Sequence, residues 1–99
     1  MKVDITDPAE ESIQKIYRLY PEEVADRVIG DVLDRAETLS ELANRGRIVD
    51  ELRPMNEEHR YILEGNYKII YKQESDIVYV TDVFDMRQDP SKIEQKHQG

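Results

Sequence analysis

The segment RYILEGNYKIIYK, Arg60 to Lys72, holds two strand-like runs around one tight turn and decides how the rest of the chain is read. Gly and Asn both tolerate positive φ, so Gly65-Asn66 between two apolar runs predicts a two-residue β-hairpin connection. Beyond the turn, Tyr67, Ile69 and Tyr71 alternate with Lys68, Ile70 and Lys72. One face is therefore aromatic and aliphatic, and the other carries two lysines, as in an antiparallel sheet with one side covered and one partly in water.

Upstream of this hairpin, KVDIT at Lys2 to Thr6 alternates and predicts a short first strand. Asp7-Pro8-Ala9-Glu10 then starts a helix, with Asp7 as N-cap, Pro8 at N1 and Glu10 at N3. Ile13, Ile16, Tyr17 and Tyr20 form its apolar stripe. Pro21 breaks that helix and begins a second, from about Pro21 to about Leu42, in which Ala25, Val28, Ile29, Val32, Leu33, Ala36 and Leu39 keep the helical period. Gly30 inside it costs roughly 1 kcal/mol relative to Ala, which implies a close crossing. Asn44 to Gly46 supplies the stop, and Ile48-Val49 is a short extended piece that Pro54 ends.

Downstream, Ser75-Asp76 turns the chain into DIVYVTDVFDMR. Simple alternation groups Val78, Val80, Phe84 and Met86 on one side and Ile77, Tyr79, Thr81 and Val83 on the other, as in an interior strand. Asp82 falls among the first set with no evident partner. The closing SKIEQKHQG is short and polar, so at most one helical turn and a frayed tail are expected from about residue 91. The fold class predicted is α+β, a single domain over residues 1–99: a helical hairpin on one face of a small, mainly antiparallel sheet, in the order β-α-α-β-β-β.

At 99 residues the chain can bury one modest core. Cys is absent, which removes disulfides and thiolate metal sites and suits a reducing cytoplasm. No apolar run approaches the ~18 residues of a membrane span, and no signal-peptide core is present, so a soluble cytoplasmic protein is expected. The formal net charge of −8 argues against general nucleic-acid binding. Acid is concentrated before residue 43 and after residue 72, and only the middle third, with 6 Lys or Arg against 5 Asp or Glu, is not acidic. The basic cluster Arg45, Arg47 and Arg53 lies there. Either these arginines pair with Asp50, Glu51 and the helix acids, or they contact a macromolecule, for which the guanidinium fork is suited.

Three stretches, GRIVDEL at Gly46 to Leu52, GNYKIIY at Gly65 to Tyr71 and VFDMRQDP at Val83 to Pro90, resemble the RelE/ParE superfamily of toxins from bacterial type II toxin-antitoxin modules. With the helical region they match the family's order and spacing. The resemblance implies a growth-inhibiting toxin of a bacterial, plasmid-stabilising kind of system, neutralised in a hetero-oligomer by a cognate antitoxin. One branch binds DNA gyrase; the other cleaves messenger RNA on the ribosome. Family toxins are commonly basic, and this chain departs from that habit.

Choosing between the branches is a matter of acid-base chemistry. Attack by a 2′-hydroxyl needs a proton acceptor, a proton donor and cations at the phosphorane-like transition state. The resemblance places Lys68 where cleaving relatives typically have arginine, and Arg87 near their second arginine. Their following tyrosine falls on Ile93. Arg60 could add charge, but arginine is a poor proton carrier because its pKa exceeds ~12. His59 and His97 are the only imidazoles; both are expected at the surface, His97 in an inert tail. No catalytic set is therefore favoured, and Lys68, Arg60, Arg87 and His59 are the residues to examine for a nuclease.

The gyrase-binding reading takes precedence, with Arg45, Arg47, Arg53 and Arg87 expected on the target surface. The messenger-RNA endonuclease is the alternative, and a member retaining only antitoxin binding is a third. Ile77, Tyr79 and Val83, on the strand side that one helical hairpin cannot cover, are expected to meet the antitoxin. No cofactor, metal or membrane is expected: four glycines make no phosphate-binding loop, and no metal-ligand spacing occurs.

Overall fold

The computed structural model describes residues 1–55 and 57–98. The chain runs β1 (Lys2–Ile5), α1 (Asp7–Leu19), α2 (Glu22–Glu37), a short α3 (Leu39–Leu42), β2 (Arg47–Ile48), β3 (Arg60–Glu64), β4 (Tyr67–Glu74), β5 (Ile77–Asp85) and α4 (Ser91–Gln98). Segments of 3-10 helix, Ala43–Arg45 and Asp50–Met55, flank β2. The sheet order is β1-β5-β4-β3-β2, with β1 parallel to β5 and every other pair antiparallel. The α+β architecture with a helical hairpin on the sheet is as expected, with β2 as an added two-residue strand.

Gly65-Asn66 makes the predicted turn, but only Gly65 has positive φ, at 56°. Glycine at the first central position is what a type II′ hairpin requires. Helix α1 is capped one residue earlier than expected: Thr6 is extended, its hydroxyl accepts from Ala9 N–H at 3.4 Å and donates to Val80 O at 2.9 Å. One Thr side chain thus starts the helix and ties it to β5. The second helix stops at Glu37 because Thr38 donates its hydroxyl to Arg35 O at 2.6 Å, competing for a carbonyl of the helical ladder.

The core beneath the helical hairpin gathers Ile13, Ile16, Val32, Ala36, Leu39, Tyr67, Ile69, Tyr71, Val78, Val80 and Val83. A second cluster on the opposite face joins Val49, Leu52, Ile70, Phe84 and Ile93. Two expectations about these faces need correction. Pairing shifts between Ile70↔Asp82 and Tyr71↔Val80, which leaves Thr81 as the extra residue of a β-bulge. The bulge reverses side-chain parity, so Val83 joins Val78 and Val80 under the helices while Phe84 turns to the other face. The tail also differs: Ser91–Gln98 is a helix of eight residues, with Ile93 fully buried. It and the Asp50–Met55 segment cover much of the face that was expected to need a partner.

Gly30 is not at a close crossing, since a Cβ built there meets nothing within 4 Å. Gly46 is the glycine that packing requires. A Cβ at that position would overlap the Tyr71 hydroxyl and stand 2.7 Å from Tyr71 Cζ. Among the described residues, no helix is long and apolar enough to cross a membrane.

Candidate functional site

Four side chains were singled out for RNA chemistry, and the fold sends them to different places. Lys68 projects from β4 on the face opposite the helical hairpin, its Nζ 4.5 Å from the centroid of the Tyr61 ring. Arg60, the register partner of Tyr71, reaches the loop before β2, donating from Nη1 to Gly46 O at 2.7 Å and from Nε to Glu58 at 3.0 Å. Tyr71 holds the same loop through its hydroxyl, which donates to Ala43 O at 2.5 Å. Arg60 is therefore occupied by the fold.

Arg87 sits at the hairpin end of the sheet. Its guanidinium grips Asp85 through Nη2 at 2.7 Å and Nε at 2.9 Å, and Nη2 donates to the Tyr20 hydroxyl at 3.2 Å. Tyr20 and Tyr67 share a further hydrogen bond of 2.9 Å. This network sorts protons: the hydrogen bond from Tyr67, then Arg87, lowers the Tyr20 pKa, while burial raises that of Tyr67. The hydrogen bond from Arg87 holds the Asp85 carboxyl below its ordinary range.

His59 is 2% exposed, not at the surface. His97 is not in an inert tail either: α4 brings its ring edge-on to His59, with centroids 5.3 Å apart. His97 Nδ1 donates to Ile93 O at 2.7 Å, and the Thr81 hydroxyl lies 2.8 Å from Nε2. Burial first, and His97 second, lower the His59 pKa. The sequence contained no signal for this meeting, because the two residues are 38 positions apart and α4 was not anticipated.

Asp82, which had no evident partner, has three contacts at the bulge. It accepts from Ser12 Oγ at 2.6 Å and from Lys96 Nζ at 3.2 and 3.1 Å, joining α1, β5 and α4. Buried charge is matched by charge and hydroxyl.

The expected target arginines do not form one surface. Arg53 is paired with Asp50 at 2.7 Å. Arg45 and Arg47 are exposed and in no ion pair among the described residues. They lie at the β2 end, whereas Arg87 lies at the Gly65-Asn66 end, where Met86 N–H donates to Asn66 O. What the sheet does assemble is a strip on the face opposite the helices. Arg47 pairs in register with Tyr61, and Leu63 with Lys68, so all four share that face. Leu63 is 45% exposed and Met86, beyond it, 38%. Tyr61, Leu63 and Met86 were not singled out from the sequence, although the alternation of β3 around Ile62 was a usable signal.

Of the residues expected to meet an antitoxin, Ile77 and Tyr79 are half-buried on this same face, paired with Glu74 and Lys72. Val83 is 3% exposed within the core under the helices, so it is not on their surface. A cleft of about 260 Å³ is lined by Glu57, Glu58, Arg60, Tyr71, Lys72 and Glu74. Its carboxylates outnumber its cations, which does not suit a phosphate. No cluster of three or more metal-ligating side chains occurs among the described residues.

A family model described as the ParE toxin of type II toxin-antitoxin system, parDE, matches residues 3–90 and so ends just before α4. No curated protein matches the chain.

Proposed function

Because the chain belongs to the ParE toxin family of type II toxin-antitoxin systems, we propose that it arrests growth in the bacterial cytoplasm by holding a macromolecular target, with DNA gyrase favoured, until a cognate antitoxin neutralises it in a hetero-oligomer. The observation that carries this reading is the dispersal of Lys68, Arg60, Arg87 and His59. In-line cleavage of RNA requires such groups within hydrogen-bond reach of one phosphate. Here Arg60 and Arg87 are spent on the fold's own oxygens, and His59 is buried against His97.

The target surface is the strip of Arg47, Tyr61, Leu63, Lys68 and Met86, extended by Arg45. Unpaired cations beside an aromatic ring and apolar side chains form the usual makeup of a protein contact, with Arg and Tyr as its anchors. Arg53 and Arg87 contribute less, since each already holds a carboxylate. The antitoxin covers the adjoining Ile77 and Tyr79 as a segment that orders on binding.

Purified protein added to a gyrase supercoiling assay and, separately, to an in vitro translation reaction tests the reading. Loss of supercoiling with intact messenger RNA is the expected result. Codon-dependent cuts on the ribosome would establish the endonuclease instead, with Lys68, half-buried against the Tyr61 ring and in no ion pair among the described residues, as the first residue to substitute. Inactivity in both assays together with antitoxin capture would leave the binding-only member.

A further inference from the structure

The two edges of the sheet are unlike. At one, β2 is only two residues long, and beyond it Arg35 Nε donates to Leu63 O at 3.3 Å, which closes off the exposed part of β3. At the other edge, the Met1 amine donates to Ser40 O at 2.9 Å, which ties the start of β1 to α3 but leaves the main chain of Val3 and Ile5 without a partner strand. There, Lys2 N–H donates to Asp76 O and Thr6 N–H to Val80 O, in a parallel register that pairs Lys2 with Ile77 and Asp4 with Tyr79. In a parallel ladder, alternate residues direct both main-chain groups to the same neighbour. Lys2 and Asp4 face β5, so Val3 and Ile5 direct their N–H and C=O groups outward, where β1 has no neighbouring strand.

The side chains of this edge have a matching pattern. Val3 and Ile5 lie half-buried on the helix side, against the main core. Leu42 of α3, the short helix that packs on β1, is 38% exposed. On the opposite face Lys2 and Asp4 are exposed, and neither has an ion-pair or side-chain hydrogen-bond partner among the described residues.

We propose that β1 is a self-association edge, at which two copies of this chain pair antiparallel about a two-fold axis at Val3 and join their sheets into one. Val3 then exchanges both main-chain hydrogen bonds with Val3 of the other copy. The flanking positions oppose Lys2 of each copy to Asp4 of the other. They are non-hydrogen-bonded positions, where Cα atoms approach to about 4.5 Å and side chains are closest. One charge of each sign, placed symmetrically about the central residue, is self-complementary under a two-fold, as an isologous interface requires. A slip of one residue would oppose outward-facing Val3 to Asp4, whose main-chain groups face β5, so a one-residue shift is excluded. Edges meant to stay single usually present a charge without its complement. Here the complement is on the same strand. A four-residue edge buries little area, so the dimer is weak and concentration-dependent.

Sedimentation over micromolar to millimolar protein, at roughly 0.15 M salt to screen the net charge, tests the proposal on the full chain. The native protein is expected to dimerise reversibly. Lys2→Glu and Asp4→Lys each oppose like charges twice and should weaken association by about tenfold or more. Mixing the two variants should restore a dimer, because every opposed pair then carries opposite charges. Circular dichroism of each variant checks that it is folded, and the mixed sample recovers association from chains that fail to associate singly. A native protein that stays monomeric throughout, association indifferent to both substitutions, or no recovery on mixing would overturn the proposal. So would finding that an antitoxin strand occupies this edge while the free toxin is monomeric.

Discussion

The rings of His59 and His97 meet edge to face, with their planes inclined at 78°. This contact joins the start of β3 to a helix of eight residues whose one fully buried apolar side chain is Ile93 among the described residues. Burying an isoleucine contributes about 1.5–3 kcal/mol, whereas ordering each backbone residue costs about 1–2 kcal/mol. Docking of α4 therefore depends on its polar contacts: Lys96 with Asp82, and His97 with Thr81 and His59.

The first prediction concerns pH. His59 faces His97 on α4, Lys72 on β4 and Glu57 on its own loop, and its folded pKa lies below the ordinary 6.5. As pH falls the unfolded chain takes up this proton first, so the contribution to stability is full above about 6.5 and is lost through the lowered folded value. The protection factors of α4 amides should fall between about pH 7 and pH 5 more than those of β4 amides. His59→Phe should flatten that dependence, and an unchanged pH profile would contradict the role given to the pair.

Asp82 provides the second. Asp82→Ala removes an acceptor from Ser12 and an ion from Lys96, and should cost about 1–3 kcal/mol in chemical denaturation. Asp82→Asn keeps an oxygen for Ser12 and loses only the charge, so it should cost less. Equal losses for the two would mean that the ion pair, and not the hydroxyl contact, dominates.

The two glycines in the helical and loop regions should respond in opposite directions. Gly30→Ala fills open space in a helix and is expected to stabilise by about 0.5–1 kcal/mol. Gly46→Ala drives a methyl group into the Tyr71 ring and should destabilise by about 1–3 kcal/mol. Tyr71→Phe should rescue the second only in part, because Cζ is itself too near. Thermal melts of the three variants, Gly30→Ala, Gly46→Ala and Gly46→Ala with Tyr71→Phe, decide it.

For function, Arg47→Glu with Lys68→Glu should abolish growth inhibition while leaving the melting temperature almost unchanged, since surface changes away from core contacts usually stay within ~0.5 kcal/mol. Arg53→Ala should retain most toxicity, because that arginine already holds Asp50. Toxicity that survives the double charge reversal would move the target surface elsewhere.

Sequence alone determined everything that rests on local periodicity. The Gly65-Asn66 turn, the two helices on either side of Pro21 and the β-rich run after Ser75 were legible, because each is written in contiguous residues as a turn-forming pair or at a period of 2 or 3.6; the family was legible only as a resemblance carried by three short stretches. Tertiary structure decided what depends on one extra residue or on distant partners. The bulge at Thr81 moved Val83 under the helices and Phe84 into the buried cluster on the opposite face, and alternation has no means of registering such a shift. Likewise Asp82, His59 and His97 acquired their meaning only when α4 docked, since its helix is too polar to announce itself and is held by groups 14 to 84 positions away in the chain. A surface charge and a buried, paired charge are spelled with the same letter, and only the packing of non-neighbouring elements determines the surrounding dielectric and partners that distinguish them.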